Sequence, residues 1–295
     1  MAWAGIAADP LKSSLAAKSQ STGGGLTLAL DAPLFENPAH GWSPTGRLLL
    51  QNQTLLGDIH QTLFVYSFPN TYYQDQWGLT LLLLNVADLL TGARDEYGHI
   101  SFTSGTLFFY DYRVLALSYG KAISSYLRLG ANLKYYSQAI EYAGSGNGLG
   151  LDLAASYYLS DHSHISAVFR NWMLNSFKWD NGSQDQFESY LQLAAWQELV
   201  LFDYPLNLTV GFDLEATGIP LHAGVEWGPK DTFALRAGFD QSLQASGGGT
   251  RMITDLTLGV GLKVDRFSAD YAYHPYAGFS EYASHIFSLA YEFGI

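Results

Sequence analysis

The side chains that could do chemistry are few and poorly assembled. There are 8 histidines and no cysteine, which removes a thiolate nucleophile, a Cys-ligated zinc site and any disulfide framework. DHSH, Asp161 to His164, contains the groups of a hydrolytic site. It falls on a predicted tight turn, however, where Asp and Ser are ordinary turn formers. His274 and His285 flank a second predicted loop with Ser280, Glu281 and Ser284 nearby, but a triad is a matter of geometry, which spacing alone does not supply. His162/His164 and His274/His285 are the only spaced histidine pairs, and no HExxH or EF-hand pattern occurs. There is no Walker loop and no dinucleotide fingerprint; GSGNGLG, Gly144 to Gly150, lies between two predicted strands and reads as a hairpin loop. The expectation is a protein without enzymatic activity, cofactor or metal.

The elements that would carry these residues are strands. In YPLNLTVGFDLEA, Leu206, Leu208, Val210, Phe212 and Leu214 alternate with Asn207, Thr209, Gly211, Asp213 and Glu215. That is a strand with one dry and one wet face. The same period returns in YLRLGANLKYY, GLGLDLAASYYLS, TFALRAGFD and TDLTLGVGLKVD. The spacing predicts strands at 47–53, 59–68, 77–88, 111–120, 126–140, 148–159, 164–173, 188–201, 204–215, 220–227, 231–241, 254–264, 267–275 and 284–293. That is about fourteen, mostly near the length a tilted strand needs to cross a bilayer.

Composition bears on what the dry faces touch. The chain is 48% hydrophobic and 14% charged, against roughly 25% charged in ordinary soluble domains. The net charge of −12 argues against a nucleic-acid partner. No run of about 18 apolar residues is available for a transmembrane helix. MAWAGIAAD lacks a basic n-region; it is either the end of a truncated signal peptide or a plain tail. Soluble sandwiches and lipocalin-like barrels place charged faces outward, whereas here the wet faces are small, mixed and sparsely charged. Tight connections at 121–125, 160–163, 228–230 and 265–266 alternate with longer ones at 89–110, 141–148, 174–187 and 244–253, the asymmetry of a transmembrane barrel. Tyr119, Tyr204, Trp227, Phe267, Tyr291 and Phe293 fall near strand ends, where interfacial rings belong. The prediction is an all-β, transmembrane, antiparallel up-and-down barrel of residues 47–295 in the bacterial outer membrane. An even strand count puts both termini on the short-turn, periplasmic side.

HIFSLAYEFGI closes the chain with Phe287, Leu289, Tyr291 and Phe293 alternating. DYAYHP and SHIFSLAYEF together resemble the closing hairpin of the PorV/PorQ-like outer-membrane proteins, distant relatives of the FadL long-chain fatty-acid transporters. LRLGANLKYYSQAIEYAGSGNGLGLDLAASYYLS is similar to that family's central hairpin. GGGLTLALDAPLFENPAHGW resembles its glycine-rich N-terminal segment, with Asp31, Asn37, Pro38 and Ala39 in place and His40 and Trp42 departing from it. The resemblance implies fourteen strands with an N-terminal hatch in the lumen. Independently, residues 1–46 show no sustained strand pattern and carry Gly23-Gly24-Gly25, Pro33, Pro38 and Pro44, as a plug would; its apolar residues favour packing over a disordered tail.

On such a barrel Arg128, Lys134, Asp152, Asp213, Glu226, Arg236, Asp240, Asp255, Lys263, Asp270 and Glu292 point into the lumen. No one sign dominates, so internal pairing is favoured over an ion-selective path. Two predicted outer-loop stretches are aromatic: Phe108 and Phe109, and Phe177, Trp179 and Phe187. They form a binding patch for a hydrophobic ligand, lipid or protein, or, for Phe108 and Phe109, the start of the next strand. Two functions follow: passage of a hydrophobic small molecule, or a type IX secretion-like adaptor that anchors secreted cargo, each in contact with outer-membrane lipid.

Overall fold

The computed structural model describes residues 5–7, 9–12, 16–24, 33–40, 43–55, 59–90, 93–94, 100–101, 107–141, 144–229, 232–246, 249–276 and 283–294. Fourteen antiparallel strands form one closed ring. They are β1 (Thr45–Leu55), β2 (Ile59–Asn70), β3 (Asp75–Leu90), β4 (Leu107–Ala122), β5 (Leu127–Ile140), β6 (Gly144–Ser160) and β7 (Ser163–Arg170). The second half comprises β8 (Tyr190–Leu201), β9 (Tyr204–Leu214), β10 (Leu221–Trp227), β11 (Phe233–Ser246), β12 (Gly249–Val264), β13 (Phe267–Pro275) and β14 (Ala283–Gly294). Each pairs with its sequence neighbour, and β14 returns to β1 from His285↔Thr54 to Gly294↔Thr45. Closure leaves no unpaired ladder edge, which an apolar surround requires.

Strict alternation is preserved around the ring, and the apolar residues face out. On β9, Leu208, Val210, Phe212 and Leu214 are exposed while Asp213 is buried; on β12, Leu256, Leu258, Val260, Leu262 and Val264 are exposed while Asp255 and Thr257 are buried. A water-soluble barrel has the reverse arrangement. At the rim carrying the short turns, rings pair on the outer face: Trp77 with Tyr119 (4.6 Å), Phe267 with Tyr291 (4.8 Å), Tyr204 with Trp227 (5.8 Å), and Phe293 stacked on Tyr66 (5.8 Å). Phe293 can reach across β1 because Gly46 lies beneath it, where a Cβ would run into the ring.

Several connections differ from expectation. Gly144 to Gly150 is not a loop but the first part of β6, and residues 244–253 are mostly strand, continuing the pairing of β11 with β12 as far as Ser246↔Gly249. The predicted outer loop 174–187 is itself a hairpin. Asn175–Trp179 pairs with β6 at Gly146 to Gly150, and Gln184–Phe187 pairs back on it and, in parallel, with Gly5–Ala7. The polar and glycine-rich composition of these stretches reads as loop, but small inner-face residues are needed wherever other chain segments lie against the wall.

Described parts of the N-terminal segment lie inside the ring. A short helix α1 (Ala17–Ser21) packs against β11, β12 and β13, and the turns of residues 33–40 lie against β3 to β8. Pro38 passes so close to β4 and β5 that a Cβ at Gly120 or Gly130 would strike its carbonyl group.

Candidate functional site

Two regions of the inner face differ in chemistry. Toward the long-loop rim, β1 to β5 carry an apolar and aromatic cluster beside the buried Gln51, Gln53 and Gln61. Leu49, Leu63, Val65, Leu82, Tyr112, Val114 and Tyr136 share one buried cluster with Leu11 and Phe35 of the N-terminal segment. β3 supplies this because LTLLLLNV carries leucines on both faces: Leu79 and Leu81 are exposed, whereas Leu82 is buried. The hairpin completes the cluster. Phe187 lies 4.1 Å from Tyr136, Phe177 lies 6.0 Å from Phe187, and Trp179 sits edge-on to Phe177 at 5.0 Å. Phe177 rests on Gly146 and Gly148, whose missing side chains make the space.

This corrects the exposed aromatic patch expected from the sequence. Phe177 and Phe187 are 0% and 2% exposed and Trp179 is half-buried, because the segment folds back as a hairpin instead of projecting as a loop. Phe108 and Phe109 belong to β4, and their side chains lie outside the described residues.

The rest of the inner face is polar and ion-paired. Asp152, fully buried, accepts from Lys134 (2.8 Å), Arg170 (3.1 Å), Asn132 (3.3 Å) and the Asn171 backbone (3.0 Å). Lys134 also reaches Asp9, at 3.1 Å. Arg236 bridges Glu226 and Asp270, each at 2.7 Å, while Lys18 of α1 meets Glu226 at 3.2 Å and Lys263 meets Glu292 at 3.3 Å. His222 stands between Asp240 (2.8 Å) and Asp213 (3.5 Å), and His274 contacts Asp255 at 3.4 Å and Asp240 at 3.7 Å. Arg128 donates from Nε to the His40 carbonyl at 2.8 Å. Thus all eleven polar positions singled out from the sequence lie on the inner face, seven of them in lysine or arginine ion pairs and Asp213, Asp240 and Asp255 against histidines. Arg170, His222 and His274 join them on the inner face, in step with Ser166, Glu226 and Asp270 on their own strands, so counting by twos finds them too. Asp9 and Glu36, in irregular chain, and Lys18, in the short helix α1, carry no such signal.

The wall also holds the N-terminal segment. Asn132 and Arg170 donate to the Phe35 carbonyl at 2.8 and 3.2 Å, and Arg170 also to that of Glu36 at 2.5 Å. Asn37 donates to Ser156 at 3.4 Å and accepts from the Ala39 backbone at 3.1 Å, while Ala39 is fully buried against Ala154, Val168, Ala194 and Trp196. Asp31 lies outside the described residues. The Glu36 carboxylate accepts from the Ala16 amide at 2.6 Å and from the Ser19 hydroxyl, tying the two N-terminal pieces together. Burial pushes its pKa up to about 7, against the opposing pull of these donors and of Arg170.

The two histidines of each spaced pair face different surroundings. His274 faces inward, where it meets Gln20 at 2.9 Å, and His285 on the outer face meets Tyr271 at 2.8 Å. His162 pairs with Glu198 at the turn, whereas His164 is buried between Tyr158 and Trp196. Ser280 and Glu281 lie outside the described residues. Among the described residues no group of three or more His, Cys, Asp or Glu is placed to hold a metal ion.

No protein-family model matches the sequence, and no curated protein does. Solved structures do match. The Pseudomonas putida toluene transporter TodX superposes with a TM-score of 0.63 at 11% identity over 99% of this chain and 100% of its own. The chain has the fold of these barrels. A Pseudomonas aeruginosa FadL homologue gives 0.59 at 10% identity over 99% and 100%, and the Ralstonia pickettii toluene transporter TbuX 0.57 at 14% over 95% and 98%. At these identities the likeness is one of architecture.

Proposed function

We propose that the chain is an outer-membrane barrel that passes a hydrophobic small molecule and does no catalysis. The observation that carries this is the aromatic cluster of Tyr112, Tyr136, Phe177 and Phe187 inside the barrel, on a molecule whose outer face is already apolar. Outward leucines are explained by lipid; inward rings toward the long-loop rim are explained by a hydrophobic guest. The toluene transporters and the FadL homologue share this architecture, which supports the same class of cargo. In this reading residues 1–46 are the hatch, the barrel is 47–295, the short-turn rim and both termini face the periplasm, and the ion pairs of the inner face hold the hatch in place. The PorV/PorQ-like resemblance refines the family within the same fold.

The adaptor reading needs an exposed aromatic surface, and the burial of Phe177 and Phe187 takes two rings from the one it drew on. The test is uptake of radiolabelled toluene and laurate by Gram-negative cells with and without the chain. Faster uptake of either is expected, with Phe187→Ala reducing the apparent affinity several-fold through its lost ring contacts. Uptake equal to that of cells lacking the chain, with a secreted protein co-purifying one to one, establishes the adaptor instead.

A further inference from the structure

Arg128 differs from five other cations inside the barrel. Lys18, Lys134, Arg170, Arg236 and Lys263 each have a carboxylate partner. Arg128 is 7% exposed, has no carboxylate partner among the described residues, and leaves Nη2 buried without a hydrogen bond. A guanidinium held out of water without a counter-charge is costly. Its surroundings are also unusual. One strand over is Tyr158, whose buried hydroxyl has no partner; Tyr158 stacks on His164 at 4.9 Å, and His164 lies 4.9 Å from Trp196, whose buried indole N–H has none either. Register places Tyr158, His164 and Trp196 at one level, His164 pairing with both, and Arg128 one inward position further along, opposite Ser156. The arc spans β5 to β8 just inside the short-turn rim; of its four side chains Trp196, at the β8 end, lines a cavity of about 320 Å³ together with Lys18 and Asn207, whose buried carbonyl oxygen is likewise unpartnered.

We infer that this arc is a binding station for a planar aromatic carboxylate on its way out of the lumen. Arg128 takes the carboxylate, the hydroxyl of Tyr158 and the N–H of Trp196 donate to it or to a ring substituent, and the ring array receives the flat face. The hatch is party to it, since Arg128 holds the His40 carbonyl and Ala39 packs on Trp196. The station rests on the reading of the barrel as a passage, and it narrows the cargo to an aromatic acid.

Benzoate and toluene differ in the carboxylate, and laurate keeps the charge without the ring. Equilibrium dialysis of the purified full chain in detergent at pH 7.5 should show benzoate binding at least about tenfold tighter than toluene. Arg128→Gln should bring benzoate to the toluene level, Arg128→Lys should restore part of the difference, and Tyr158→Phe, which keeps the ring, should weaken benzoate several-fold. Retained heat-modifiable migration on gels identifies folded variants, and Tyr158→Phe stands if Arg128→Gln does not fold. Equal affinity for benzoate and toluene, or variants that bind benzoate like the parent, overturn the station; laurate bound more tightly than benzoate overturns the aromatic assignment. Dialysis does not depend on transport, so failure in cell uptake and failure here are read separately.

Discussion

Glu36 shows how one carboxyl can set the behaviour of a segment. It joins Ala16 and Ser19 to the 33–40 turns, and it is fully buried, so its charged form is penalised and its pKa rises from 4.5 to about 7. At 1.36 kcal/mol per pKa unit, this favours the protonated form by about 3 kcal/mol. The folded state therefore binds more protons than the unfolded one between these values, and stability falls as pH rises through that window. The contribution is whole below about pH 4.5 and gone above about 7. With uptake corrected for the intrinsic base-catalysed exchange rate at each pH, protection at residues 16–24 and 33–40 is expected to fall from pH 5 to pH 8 in the parent. Glu36→Gln should flatten that dependence; the same pH dependence in the variant assigns it to another group. Arg170 acts on the same segment by charge: with Asp152 and two carbonyl groups around it, it satisfies backbone oxygens that irregular chain leaves without a ladder.

At the scale of elements, the hairpin after β7 changes what the lumen presents. β7 stops at Arg170, Asn171 and Met173 adopt left-handed backbone (φ 52° and 59°), and the chain resumes pairing with β6 at Asn175. The interruption turns Phe177 inward onto Gly148. Gly148→Val would place a side chain against the Phe177 ring and the Ser176 carbonyl. A loss of about 1–3 kcal/mol follows from overpacking, confined to the hairpin. Hydrogen exchange should accelerate over 175–187 and remain unchanged in β8 and β9. If β8 and β9 accelerate equally, the hairpin is part of the barrel's cooperative unit and not a separable piece.

For the whole molecule the decisive quantity is which face is apolar. Leu258 is 56% exposed near the middle of β12, in a band of outward leucines and rings. Leu258→Arg should cost about 2–4 kcal/mol in lipid, measured by reversible unfolding from vesicles. In a barrel that met water there, the change would fall within about 0.5 kcal/mol. Period-two alternation in the sequence determined this much: which residues share a face, that the strands number about fourteen, and that alternate connections are tight. These are local properties, since each side chain's face follows from its parity. The same parity placed Asp152, Arg236 and Asp255 inside. Tertiary structure alone decided what the inside contains. Glycine-rich and polar stretches such as Gly144 to Gly150 and 174–187 read as loops because their composition carries no strand propensity. Their state depends on Phe177 and the returning chain, which supply contacts remote in sequence. Arg128, too, looks like the other inward cations in sequence. Among the described residues it is distinguished by its lack of a carboxylate partner, and a distance between strands has no local signature.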